Sequence, residues 1–410
     1  VGQLGTEQMS GVAIVNQLIF VYNLAIFGAV SAASIFGAQY YGKGNHKGHM
    51  YSFRFKLYAA LLVTGLTILL FLTCGDNLIS LYLTDTAGDG ATDVALGYGL
   101  QYLGIMVVGL VPFAVNQAYA TNIKETGQTM VPMAASFVAV GSNALLDYLL
   151  IFGIGPFPRL GIEGAALATG IGQVTPVVIY WIIYKIRPIS VKIRPEYLKE
   201  GKNLVGRLYA IGVPAILNLA LPSLLISALN GILAVYSQSY VVVLGIYYKL
   251  QTFIYLTANG IVQGMRPIIG FNYGAGEHKR VRKIYEITLI MCAVIMLIGT
   301  GICLAIPEQL IGLFSSNPET IRLGGQALTR ISVGFLISAV SITSSGALEG
   351  LGKGGSSLII SLCRNVIVIL PAAYLLSHLG GGVFVWHAFW ITEVISAAVS
   401  LVVYRRAVRR

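Results

Sequence analysis

Eleven long apolar runs constrain this chain more than any other feature. A helix crossing the hydrocarbon core of a bilayer needs about 20 mostly apolar residues. Stretches of that kind lie at 12–37, 53–75, 96–122, 130–152, 161–184, 208–232, 239–265, 284–306, 323–348, 356–377 and 383–404. They are continuously apolar rather than alternating, so they read as helices and not as barrel strands. The expected fold class is an all-α membrane protein. Pro112, Pro176, Pro214, Pro222 and Pro371 fall inside the runs. A helical bundle tolerates such prolines, which mark kinks.

Composition agrees. Asp, Glu, Lys and Arg make up only 10% of the chain, against about a quarter in a soluble domain. So few charges cannot coat a globular surface, which excludes a soluble enzyme, a disordered chain and a nucleic-acid-binding domain. The four cysteines lie in or beside apolar runs with no CxxC spacing, and the five histidines are scattered. Neither set reads as a metal centre.

The net charge of +11 reflects topology. With the loop YGKGNHKG taken as cytoplasmic, alternate loops collect most of the 27 basic residues, from Lys43, Lys47, Arg54 and Lys56 at the first to Arg405, Arg406, Arg409 and Arg410 at the last. The other side carries Asp76, Asp85, Asp89 and Asp93. The positive-inside rule then places the C-terminus in the cytoplasm. The opening VGQLGTEQMSG is polar and does not read as a signal peptide. It reads as a loop, with one further helix expected upstream.

The chain also repeats itself at a near-constant offset. GAQYYGKGNHKG (37–48) resembles GFNYGAGEHKR (270–280), ISLYLTD (79–85) echoes IGLFSSN (311–317), and DYLLIFG (147–153) lies opposite AYLLSHL (373–379). Each piece keeps its loop side, so the repeat is parallel. The expected organisation is two lobes: 1–184 with five helices and its first one missing, a basic interfacial linker at 185–207, and 208–410 with six helices. Parallel repeats with a site between them are a recurrent transporter plan.

Three stretches resemble the MATE family, the multidrug and toxic compound extrusion transporters. They are NALLDYLLIFG (143–153) with LGIEGAALATGIGQ (160–173), QGMRPIIGFNYGAGEHKR (263–280), and RNVIVILPAAYLL (364–376) with GGGVFVWHAFWITE (380–393). The stretch at 263–280 is most similar to a bacterial branch that includes a staphylococcal exporter. The resemblance implies twelve helices in two six-helix lobes, cation-coupled export of organic cations, and a coupling carboxylate on a first helix just ahead of the VG that opens this chain.

Ionisable residues inside a span are functional candidates by default, because a charge there costs several kcal/mol unless paired or hydrated. Asp147 is the foremost. Asn143 shares its helix face four residues earlier. At about 1.5 Å per residue, Asp147 lies about 8 Å and Thr169 of the next helix about 12 Å from the same membrane side. Asn143, Asp147 and Thr169 are therefore the expected cation site. Their oxygens suit Na⁺ and a buried carboxylate suits H⁺. The family resemblance places cation coupling at the same positions.

Gln173 follows Thr169 on its face, and the repeat sets Glu393 opposite it. Arg364 and Glu393 lie at matched depth on consecutive helices, where they would pair. Asn116, Tyr119 and their neighbours stripe one segment as cavity lining for planar cations. Lys249, mid-helix in YYKLQTFIY, completes the cavity candidates.

No phosphate-loop motif occurs, so the energy is expected from an ion gradient, with no cofactor beyond H⁺ or Na⁺. The expected function is secondary active export of organic cations by alternating access. It would be carried out by a monomer in the bacterial inner membrane, with the lipid bilayer as its setting and no nucleic-acid partner. The alternative is a flippase for lipid-linked oligosaccharide of the same superfamily, with a more cationic cavity. An intramembrane enzyme would need convergent catalytic groups, which are absent from the sequence.

Overall fold

The structure is a computed structural model that describes residues 5–82, 89–186 and 202–409. Among the described residues, eleven helices are long and apolar enough to cross a membrane. In chain order the elements are α1 (Thr6–Gly42), α2 (His46–Ser80), α3 (Asp89–Glu125), α4 (Met130–Phe152), α5 (Ile162–Ile186), α6 (Lys202–Ala234), α7 (Gln238–Gly274), α8 (His278–Ala305) and the short α9 (Pro307–Gly312). Then come α10 (Pro318–Gly350), α11 (Gly354–Leu362), a π-helical turn (Cys363–Ile367), α12 (Ile369–Gly380), the short α13 (Gly382–Val385) and α14 (His387–Arg409).

The helices overrun the apolar stretches. α1, α3 and α7 each have 37 residues, or about 55 Å of rod against about 30 Å of hydrocarbon. Hydropathy ends a span where polar residues begin, but the backbone hydrogen-bond ladder continues through them. The acidic stretch Asp76–Asp93 is therefore partly helical: Asp76 belongs to α2, and Asp89 and Asp93 to α3, while Asp85 lies outside the described residues. Of the expected linker 185–207, residues 187–201 lie outside them too. Lys185 lies in the last turn of α5 and Lys202 opens α6.

The chain divides into two compact units, Val1–Tyr41 with Asn45–Leu204, and Gly42–Gly44 with Val205–Arg410. The first, the N-lobe, holds α1 to α5. Its core gathers Val15, Tyr22 and Ile26 of α1, Phe71 and Ile79 of α2, Leu103 and Leu110 of α3, and Ile162 and Ala165 of α5. Leu62, Leu66, Leu69 and Leu72 of α2 are exposed, as expected of a helix apolar on every side. Asn45 caps α2 by accepting from the Gly48 N–H at 2.9 Å.

Gly153 ends α4 in the left-handed conformation, φ 70°. A side chain there would also strike the backbone of Arg159. This turn folds α5 back along α4, and Gly164 lets them close: a Cβ at Gly164 would stand 2.7 Å from the Leu150 carbonyl oxygen. That closeness sets the α4 polar residues against α5.

The C-lobe is organised around α10, which packs on α7, α8 and α14. Its small residues permit the approach. Gly346 leaves no room for a Cβ beside Val262, and Gly350 sits against the Arg266 carbonyl. The packing order inside each lobe agrees with the repeat: α3 lies on α2 and α5 as α10 lies on α8 and α14.

The run expected as one helix at 356–377 is interrupted. Pro371 has no N–H to give the Ile367 carbonyl, and the Val368 N–H reaches back five residues to the Cys363 carbonyl at 3.1 Å. The ladder widens into a π turn that carries Arg364.

Candidate functional site

The N-lobe candidates sit where α1, α3, α4 and α5 meet. Asp147 is half-buried on α4. Its Oδ1 is buried without a hydrogen-bond partner, as is the amide nitrogen of Asn143 one turn away. The Thr169 hydroxyl donates to the Ala165 carbonyl of its own helix at 2.9 Å. What joins them is Tyr102 of α3, 4% exposed. Its hydroxyl donates to Asn16 Oδ1 of α1 at 3.5 Å, stands near Thr169 and feels the Asp147 charge. Gly172 places α5 beside Asn143, where a Cβ would stand 3.1 Å from the asparagine Cβ. Tyr102 and Asn16 escape sequence reasoning because each is one polar atom on a mostly apolar helix face.

These donors suit a small cation. A carboxylate oxygen, a tyrosine and a threonine oxygen, and an amide that can turn its oxygen inward make an oxygen-rich set. The orphaned buried oxygen of Asp147 is the kind a bound cation or proton satisfies.

Gln173 is half-buried one turn beyond Thr169, and Asn116 is half-buried on α3. Tyr119 packs edge-on between Phe53 and Tyr184, with ring centroids 5.0 and 5.4 Å away.

At the basic-loop end of the N-lobe lies a polar cluster whose basic members read in the sequence as loop charges. Lys56 is fully buried on α2 and paired with Glu125 of α3. His49 Nδ1 lies 2.9 Å from the Gly37 carbonyl and 3.6 Å from Glu125 Oε2. Gly37 lets the carboxylate in, since a Cβ there would collide with it. The available signal is the pair Arg54 and Lys56 embedded in YSFRFKLYAA. The C-lobe has a corresponding group. Arg266 Nη2 of α7 meets Glu349 Oε2 of α10 at 2.5 Å. Glu349 Oε1 also accepts from Asn218 and Ser357, each at 2.9 Å.

The C-lobe also encloses a cavity of about 270 Å³. Arg364 and Glu393 meet in its wall: Nε donates to Oε1 at 2.8 Å and Nη2 stands 2.7 Å from the same oxygen. Tyr255 accepts from Arg364 Nη2 at 3.2 Å and donates to Ser338 at 2.8 Å, and Ser341 donates to Glu393 Oε2 at 3.4 Å. Tyr247, Gln251 and Tyr255 line the cavity at four-residue spacing on α7, a stripe legible in YYKLQTFIY. Lys249 is not among the lining residues of this cavity. Two positions from Tyr247 turns it to another face, where it is exposed with its ammonium 5.8 Å from the Phe314 ring.

Two lobes of long apolar helices, each with ionisable side chains held inside its spans, define a multi-pass α-helical membrane protein of the two-lobed kind. The MatE family model matches residues 1–149 and 214–375, and the chain belongs to that family. It is 26% identical over 355 residues to the Multidrug export protein MepA of Staphylococcus saprophyticus, spanning 85% of this chain and 75% of that protein. With the MepA of Staphylococcus haemolyticus it shares 24% over 377 residues, 91% of this chain and 79% of that one. Its fold is that of a multidrug resistance MATE family transporter of the MOP superfamily solved in an outward-facing conformation, with a TM-score of 0.87 at 19% identity. That match covers 100% of this chain and 90% of the other. A MOP superfamily transporter from Pyrococcus furiosus, described as having a binding pocket of reverse polarity, matches with the same TM-score, identity and coverage.

Proposed function

We propose that this chain works as a secondary active exporter of organic, drug-like cations, coupled to inward movement of H⁺ or Na⁺ and operating by alternating access of its two lobes. The family and the MepA relatives support the export reading. The observation that carries the coupling is Asp147, an ionisable group in a span whose buried carboxylate oxygen has no partner, beside the unpartnered amide of Asn143.

The coupling ion occupies the space among Asp147, Asn143, Thr169 and Tyr102. A ligand shifts a conformational equilibrium only by its differential affinity for the two states. Several helices supply this donor set, so a change in their packing alters the ion's affinity, and the ion in turn biases the packing. One positive charge moving inward supplies about 2.3 kcal/mol per 100 mV. Gln173, Asn116, Tyr119, Arg364 and Glu393 belong to the substrate path. The polarity of the C-lobe cavity speaks against a pyrophosphate-linked lipid as substrate, because the Arg364 charge is matched by Glu393. The working unit is a monomer in a bacterial inner membrane with its C-terminus in the cytoplasm.

The test is ethidium efflux from vesicles, with pH and Na⁺ gradients imposed separately. Efflux should follow one gradient and vanish in Asp147→Asn, which keeps the shape and inserts normally. Efflux at the parental rate from the substituted protein would overturn the assignment.

A further inference from the structure

Arg364 occupies a place that an organic cation would fit. Its guanidinium is itself planar and delocalised. The Cζ atom lies 5.3 Å from the centroid of the Tyr255 ring, within cation–π range. Nε and Nη2 both reach Glu393 Oε1, at 2.8 and 2.7 Å. A carboxylate beside an aromatic ring is the seat that a planar cation selects. As an ion pair the contact is incomplete. A fork-on-fork pair sets two parallel N–H groups against the two carboxylate oxygens, whereas here both contacts fall on Oε1. Among the described residues, Oε2 accepts only from Ser341, at 3.4 Å, and Nη1 makes no hydrogen bond. The Arg364 and Glu393 side chains keep 21% and 12% of their surface, so the pair borders open space.

That space is the C-lobe cavity of about 270 Å³, whose lining includes the rings of Tyr247, Phe335 and Phe389 besides Tyr255. Thr252, Leu256 and Asn259 of α7 also line it and are exposed, which marks its open side. The volume lies just below the usual range of small-molecule pockets, about 300–1,000 Å³, and suits a one- or two-ring aromatic. Arg364 and Glu393 are the charged residues of the lining. One positive charge therefore already answers the one negative charge, and an entering cation finds its counter-charge taken.

From this geometry we infer that Arg364 is a tethered competitor for the substrate. It fills the cation seat of Glu393 and Tyr255 while the cavity is empty, yields it to a one- or two-ring aromatic monocation, and reclaims it when that cation leaves. The inference rests on the export reading above and deepens it, naming the seat, the substrate class and the residue that sets affinity there. The exchange replaces one cation by another, so Glu393 is never left as an uncompensated charge in the packed lobe, which would be strongly destabilising. The displaced guanidinium turns toward the open side of the cavity. Apparent affinity falls with the fraction of molecules in which the seat is open, which favours release of the cargo. The π turn places Arg364 on a widened stretch of helix, a distortion frequent at functional sites.

Calorimetry at pH 8 on the purified full chain in nanodiscs tests this with 1-methylquinolinium and its neutral counterpart quinoline. Arg364→Gln should bind 1-methylquinolinium about tenfold tighter than the parent, because the competitor is gone, while its affinity for quinoline stays the same. Free methylguanidinium should then compete for the vacated seat. Glu393→Gln should bind 1-methylquinolinium at least about tenfold more weakly than the parent, having lost the charged partner. Unchanged or weaker 1-methylquinolinium binding by folded Arg364→Gln would overturn the inference and leave a pair that only ties the π turn to α14. An equal gain for quinoline would overturn it too, since the substitution would merely have enlarged the cavity. Should Arg364→Gln fail to fold, Tyr255→Phe decides the matter. It removes the hydroxyl that accepts from Nη2 at 3.2 Å but keeps the ring, so 1-methylquinolinium should bind several-fold tighter, and unchanged or weaker binding would overturn the inference. None of these measurements uses a gradient or alters Asp147, so a failure of efflux coupling is read separately.

Discussion

Lys56 and Glu125 form an ion pair in which neither side chain reaches solvent: they are 0% and 1% exposed. Two buried charges cost several kcal/mol each to desolvate, and their attraction recovers that cost only when the geometry is good and other polar atoms are satisfied. Glu125 stands at the end of α3. Glu349 occupies the corresponding end of α10 and is paired with Arg266, which retains some exposure at 17%. Each lobe thus closes the same end of an equivalent helix with a carboxylate held by a base.

Removing one partner of the N-lobe pair should be far worse than removing both. Lys56→Met or Glu125→Leu alone should lower stability by about 3–5 kcal/mol, while the double substitution should recover most of it. Thermal unfolding in detergent of the two single variants and the double variant measures this. Additive losses would show that the pair does not act as a unit.

At Glu349 the outcome should be graded. Glu349→Gln keeps an oxygen for Asn218 and Ser357 but gives up its charge. Glu349→Ala also leaves those two donors unpaired, at a further cost of about 1–3 kcal/mol. The melting temperature should fall in that order.

Tyr102→Phe removes the hydroxyl that donates to Asn16 and lies in the Asp147 field. The ring stays, so the stability loss should remain near about 1 kcal/mol. Gradient-driven ethidium efflux should nevertheless fall several-fold, because the site loses an oxygen. Unchanged efflux would remove Tyr102 from the coupling site.

Two glycines of α5 should behave in opposite ways. Gly164→Ala drives a methyl against the α4 backbone at Leu150 and should cost about 1–3 kcal/mol. Gly170→Ala meets nothing within 4 Å and should be neutral or slightly stabilising, since alanine favours helix by up to about 1 kcal/mol over glycine. Melting temperatures of the two variants check the contrast.

Much of the fold is legible in the sequence because a bilayer allows few solutions. The apolar runs locate the eleven spans found among the described residues, and the motifs around Asp147, Arg266 and Arg364 point to the family. Matched depth on consecutive helices brings Arg364 to Glu393, since rise per residue alone fixes how far each lies into its span. Lys56 reads as a loop charge because position at the edge of an apolar run says nothing about rotation about the helix axis, and only packing shows that it faces Glu125. The π turn is hidden for a similar reason. Pro371 announces a disturbance in the ladder but not whether the helix kinks or widens. Tyr102 is one tyrosine among 23, and what distinguishes it is the convergence of other helices on one hydroxyl.

The length of α1 turns small rotations into useful displacements. It contains no proline, so its 37 residues form one stiff lever of about 55 Å. Asn16, at the Tyr102 hydroxyl, lies about 12 Å from the midpoint of that lever. A tilt of about 5° about the midpoint shifts Asn16 by only about 1 Å but carries each end more than about 2 Å. Under the function proposed above, occupancy of a site the size of one ion would be geared in this way to motion at the far end of the same helix, with no hinge needed between them.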